Sequence, residues 1–73
     1  MMDKAKQEKL NMWKKQAEDL QNQLFEVMKK RGKAAQEGDL SENAAYKGFT
    51  EDAEIISARL GNTQKIIEEL EQG

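Results

Sequence analysis

Apolar residues recur along this chain at alternating steps of three and four. The first run holds Leu10, Trp13, Ala17, Leu20, Leu24, Val27, Arg31 and Ala34, and the second holds Tyr46, Phe49, Ala53, Ile56, Leu60, Thr63, Ile67 and Leu70. Such spacing gathers one residue per turn on a single face of a helix, and sustained over several heptads it is the coiled-coil pattern. Each run lies in a segment of about 30 residues, roughly 45 Å long at 1.5 Å rise per residue. Arg31 and Thr63 are the polar members of otherwise apolar stripes.

The two stripes also mesh. If the chain reverses between them, facing residues must have a nearly constant sum of residue numbers. Pairing Leu10 with Ile67, Trp13 with Thr63, Ala17 with Leu60, Leu20 with Ile56, Leu24 with Ala53, Val27 with Phe49 and Arg31 with Tyr46 gives 76 or 77 every time. The pattern predicts an all-α fold: a long antiparallel helical hairpin, or two-helix intramolecular coiled coil. One domain spans residues 1–73, with helix one over about 3–37, a tip at 38–41 and helix two over about 40–71.

The reversal falls in the stretch EGDLSENAAY, from Glu37 to Tyr46. Gly38 suits the position just past a helix end, where a left-handed conformation closes the last turn. Asp39 then reads as the N-cap of the second helix, with Glu42 three residues on at the capping-box position. Gly32, Gly48 and Gly61 lie inside the predicted helices, each about 1 kcal/mol less favourable than alanine. Together with Ala34, Ala35, Ala44 and Ala45, Gly32 and Gly48 leave the region behind the tip slim. Close approach of the two backbones and loose packing are both compatible with that.

Composition narrows the chemistry. Cys and His are both absent from the 73 residues, which excludes disulfides, thiolate or imidazole metal ligands and catalytic Cys or His. Charged residues make up 36 %, aromatic residues 5 %, and proline is absent, a profile of long polar helices. With a net charge of −2, any attraction to nucleic acid must come from a local patch. No Gly-rich phosphate loop occurs, and no stretch has the length of a signal peptide's apolar core or a membrane span. The expected location is the cytoplasm.

Carboxylates are what remains. Asp39 and Glu42, with Glu37 just before them, sit where the hairpin turns. Two acids cannot hold Mg²⁺ tightly by themselves, but hard cations accept one or two carboxylates together with water and substrate phosphates. Inserted into another active site, such a pair could complete a two-metal phosphodiester-cleaving centre. Capping alone also accounts for their spacing, and acids near a helix N-terminus suit its dipole. Behind the tip, KKRGK places Lys29, Lys30, Arg31 and Lys33 as candidate contacts to RNA phosphates or to an acidic partner, or as a solvated face near a helix C-terminus. Phe25, Met28, Ile55 and Ile66 lie off the seam. Ile55 and Ile66, on one side of the second helix, are either ordinary exposed residues or the seat of a partner domain or weak homodimer.

The stretch GDLSENAAY resembles the tip motif GDLxENAEY of the Gre transcript-cleavage factors of bacterial RNA polymerase, the GreA/GreB-like elongation factors. Gly38, Asp39, Leu40, Glu42, Asn43, Ala44 and Tyr46 match it. The resemblance implies a hairpin that enters the secondary channel of the polymerase, its tip close to the 3′ end of the nascent RNA. It implies that Asp39 and Glu42 assist, in trans, in holding a Mg²⁺ shared with the polymerase active site, so that the polymerase cleaves backtracked RNA. The chain itself is then no enzyme and binds no cofactor tightly. Gly38, Leu40, Asn43 and Tyr46 would support the tip.

The sequence departs from the motif at Ala45, where the family usually has Glu, and lacks an Arg just ahead of Gly38-Asp39. The family's globular C-terminal domain is expected to be absent from these residues, as in an excised domain or a stand-alone hairpin. Two other readings stay open at this level: a secondary-channel competitor or inhibitor without cleavage activity, and a structural coiled-coil adaptor or oligomerisation module.

Overall fold

The computed structural model describes residues 3–38 and 42–72. It holds two helices, α1 from Lys4 to Ala35 and α2 from Ala44 to Gln72, packed against each other along their length. The body measures 55 × 14 × 11 Å, with a radius of gyration of 16.6 Å. A compact domain of this length would have a radius near 11 Å, so the molecule is a rod. No strand occurs among the described residues.

All sixteen stripe positions are buried or half-buried. Leu10, Ala17, Leu20, Ala34, Ala53 and Thr63 form the driest part of the seam, yet among the described residues no side chain is completely enclosed. That is the expected consequence of two helices burying only one face each. The buried Thr63 hydroxyl donates to the Arg59 carbonyl at 2.9 Å, so its polarity is satisfied within its own helix. Opposite it in the ladder, the Trp13 indole N–H is buried without a hydrogen-bond partner.

Helix α1 starts at a well-formed cap. The Asp3 side chain accepts from the Lys6 backbone N–H at 2.8 Å, and its carbonyl accepts from Gln7 at 3.0 Å. At the other end α1 finishes at Ala35, where Gln36 and Glu37 donate to the Lys33 and Ala34 carbonyls in tightened i→i+3 turns. Lys33 in this last turn complements the helix dipole. The left-handed glycine closure expected at Gly38 is not used, because no described glycine has a positive φ. The carbonyl that such a closure would serve, that of Ala34, is bonded across the tip instead.

The space around the glycines decides between close approach and loose packing. A Cβ added at Gly32, Gly48 or Gly61 would meet nothing within 4 Å. None of these glycines is there to let the backbones touch. Gly32→Ala and Gly61→Ala should therefore each stabilise the hairpin by up to about 1 kcal/mol through helix propensity alone. Thermal unfolding followed by circular dichroism should show the midpoint rising by about 4–8 °C per substitution.

Off the seam, Met12, Phe25, Met28 and Ile55 are strongly exposed, whereas Ile66 is half-buried. Of the two isoleucines on that side of α2, Ile55 is thus open to solvent and Ile66 is partly covered within the hairpin. No helix among the described residues is long and apolar enough to cross a membrane.

Candidate functional site

The site is the end of the rod where α1 hands over to α2. Asp39, Leu40 and Ser41 lie outside the described residues, so the geometry is that of the two shoulders holding them. On the α1 side are Ala34, Glu37 and Gly38, and on the α2 side are Glu42, Asn43 and Tyr46.

Asn43 organises the second shoulder. Its side-chain oxygen accepts from the Tyr46 backbone N–H at 3.0 Å, three residues on, while its own carbonyl accepts the first helical bond from Lys47 at 3.1 Å. That is the geometry of an N-cap. Helix α2 therefore begins at Ala44 and is capped by Asn43, not by Asp39 as the spacing suggested. Glu42 consequently precedes the cap and is not the third helical residue, so the expected capping box does not form.

The other half of the Asn43 amide crosses the tip. Its Nδ2 donates to the Ala34 carbonyl at 2.7 Å. That carbonyl also accepts from the Glu37 N–H at 3.1 Å, so both of its lone pairs are occupied at the end of α1. One side chain thus starts α2 and ties it to the last turn of α1.

One rung further down, Arg31 and Tyr46 form a second tie. Arg31 Nη2 donates to the Tyr46 hydroxyl at 2.8 Å, and the guanidinium carbon lies 4.9 Å from the centroid of the tyrosine ring. The latter distance is within cation–π range. Nη1 reaches the Met28 sulfur at 3.8 Å, and Nε is buried without a partner. Of the four cations in KKRGK, Lys29, Lys30 and Lys33 are exposed, whereas Arg31 is half-buried and spends its donors inside the hairpin.

Two clefts flank these ties. One, shallow and open, of about 290 Å³, is lined by Glu37, Gly38, Glu42 and Asn43. It brings Glu37 and Glu42, from opposite sides of the reversal, to one concavity. Among the described residues no three acids, cysteines or histidines gather closely enough to enclose a metal ion. Two exposed carboxylates are a donor set of the right hardness for Mg²⁺, with too few ligands to hold it unaided. The second cleft, about 190 Å³, is lined by Lys30, Lys33, Ala34, Glu37, Ala45 and Phe49. Its surface is mainly apolar, with two lysines and one glutamate among the lining side chains.

Sequence spacing alone missed Asn43 as the cap and cross-tip tie, and it left Arg31 both on the seam opposite Tyr46 and among the candidate outward contacts. One signal was present for both. The Arg31–Tyr46 rung was in the ladder already, and one more step along it pairs Ala34 with Asn43 at the same sum of 77.

Two antiparallel helices packed along their length, with Glu37 and Glu42 facing one cleft at the reversal, define a helical hairpin. The family model described as the GreA/GreB N-terminal domain, "Transcription elongation factor, N-terminal", matches residues 5–71. The chain belongs to that family. Comparison with curated proteins and with solved structures gives no match.

Proposed function

We propose that this hairpin binds bacterial RNA polymerase, inserts its tip through the secondary channel and stimulates the polymerase's own cleavage of backtracked RNA. The observation that carries the reading is the family match over residues 5–71, with the motif acids at the reversal of the hairpin. The body is 14 Å and 11 Å across its two short axes, so the tip can be presented at the end of a narrow probe.

In this reading Asp39 and Glu42 supply carboxylate oxygens to a Mg²⁺ that the polymerase also holds. When bound there, the ion would supply Lewis-acid activation of the attacking water, with Asp39 and Glu42 contributing to its hold. The protein's own part is positional. Asn43 fixes the backbone next to Glu42, and the rod carries that carboxylate to the scissile phosphate. Lys30 and Lys33, which line the mainly apolar cleft with Phe49, contact the displaced 3′ segment of the RNA through its phosphates.

The test is a cleavage assay on elongation complexes stalled in a backtracked register, with and without the 73-residue chain. Shortened 5′-labelled transcripts should appear faster with the chain present; an unchanged rate at saturating hairpin would sink the reading. Lys30→Ala with Lys33→Ala should weaken productive binding while leaving the saturating rate within about twofold. The salt dependence of half-saturation should also flatten by up to about two phosphate contacts.

A further inference from the structure

The geometry points to Arg31 as a positioning residue for the tip, acting through Tyr46 and Asn43 on Glu42 rather than touching RNA or polymerase. This rests on the reading that the tip acids assist cleavage.

Four residues form a closed clasp. Arg31 Nη2 donates to the Tyr46 hydroxyl, the Tyr46 backbone N–H donates to Asn43 Oδ1, and Asn43 Nδ2 donates back to the Ala34 carbonyl, at 2.8, 3.0 and 2.7 Å. Arg31 and Ala34 are one turn apart on α1, and Asn43 and Tyr46 are the cap and third residue of α2. Each corner of the clasp is therefore fixed from two directions. Glu42 is the residue bonded directly to the Asn43 nitrogen, so the tilt of the first turn of α2 sets where its carboxylate points.

An arginine is a poor choice for this position on stability alone. The rungs on the stem side of it are lined mainly by apolar residues, and its Nε is buried without a partner. A leucine would pack in the same stripe without that unsatisfied group. What leucine cannot do is grip the tyrosine from the side. Nor can lysine, a point charge on a flexible stem, reproduce a planar fork that lies against a ring and also donates to its hydroxyl. A phosphate contact, by contrast, would accept lysine.

The experiment compares the parent hairpin with Arg31→Leu, Arg31→Lys and Tyr46→Phe, the last removing only the hydroxyl. In the free hairpin, Arg31→Leu should leave the thermal midpoint no lower than the parent's. Exchange of the Tyr46 backbone amide and the Asn43 side-chain amide, read by NMR, should speed up about fivefold. On backtracked complexes, both Arg31 variants and Tyr46→Phe should lower the cleavage rate at saturating hairpin on the order of tenfold, with half-saturation unchanged. The double variant Arg31→Leu with Tyr46→Phe should be no worse than either single one.

Full rescue by Arg31→Lys, or weaker binding with an undiminished saturating rate, would assign Arg31 to a phosphate contact and overturn the inference. Unchanged amide exchange in Arg31→Leu would overturn it too. Should the parent hairpin fail to stimulate cleavage, the proposed function falls separately, and the exchange comparison alone decides the role of the clasp.

Discussion

Replacing both Asp39 and Glu42 with alanine should reduce transcript cleavage at saturating hairpin at least about 100-fold while leaving polymerase binding near the parent's. The magnitude follows from what is lost. Groups that orient or support a metal site typically contribute 10- to 100-fold each, and two are removed together. The binding half follows from placement. Behind the tip α1 and α2, of 32 and 29 residues, pair along their length, and Lys29, Lys30 and Lys33 are exposed on α1 and untouched by the change. Glu42 precedes the N-cap of α2 and makes none of the bonds that hold Asn43, so its truncation leaves the shoulder intact. Competition between the double variant and the parent for backtracked complexes measures the binding term. Product formation at saturation measures the chemical term. A variant that still cleaves at the parent's rate would reduce these acids to helix punctuation. One that no longer competes would make them docking residues instead.

The rod was legible in the sequence because its cause is periodic. A three-four stripe has few ways to be satisfied, and a second stripe meshing at a constant sum leaves only one partner and one direction. The tip was legible only in part, because capping is local and degenerate. Asp39, Ser41 and Asn43 are all good N-cap residues by type, and choosing among them needs the start of α2 in space. Asn43 caps the helix and also reaches the Ala34 carbonyl, a contact across nine residues that no short-range pattern encodes. The same holds at Gly38, where a glycine just beyond a helix reads as a left-handed closure. Once Asn43 and Glu37 occupy the Ala34 carbonyl, that closure has no acceptor left to serve. Arg31 was legible in two ways at once. Runs of basic residues are read as surface, and its place in the apolar stripe carried more information than its place in KKRGK.

Asn43→Ala should be the most destabilising single change at the tip. Losing the N-cap costs about 1 kcal/mol, and withdrawing the donor from the Ala34 carbonyl costs about 1 kcal/mol more. In a chain of this length a single core rarely supplies more than about 3–5 kcal/mol, so the loss is a large share of the total. The midpoint of thermal unfolding should fall by on the order of 10 °C. Two further variants separate the contributions. Asn43→Ser keeps an oxygen for the Tyr46 N–H but gives up the cross-tip amide, and should lose about half as much. Asn43→Asp keeps the better cap, yet aims a carboxylate oxygen at the Ala34 carbonyl that Nδ2 now satisfies. It should fall at or below Asn43→Ser despite the favourable helix dipole. Were Asn43→Asp as stable as the parent, the cross-tip bond would contribute nothing, and the tip would be held by the seam alone. If the ordering holds, the residue that starts α2 is also the one that sets the angle at which the acids are carried.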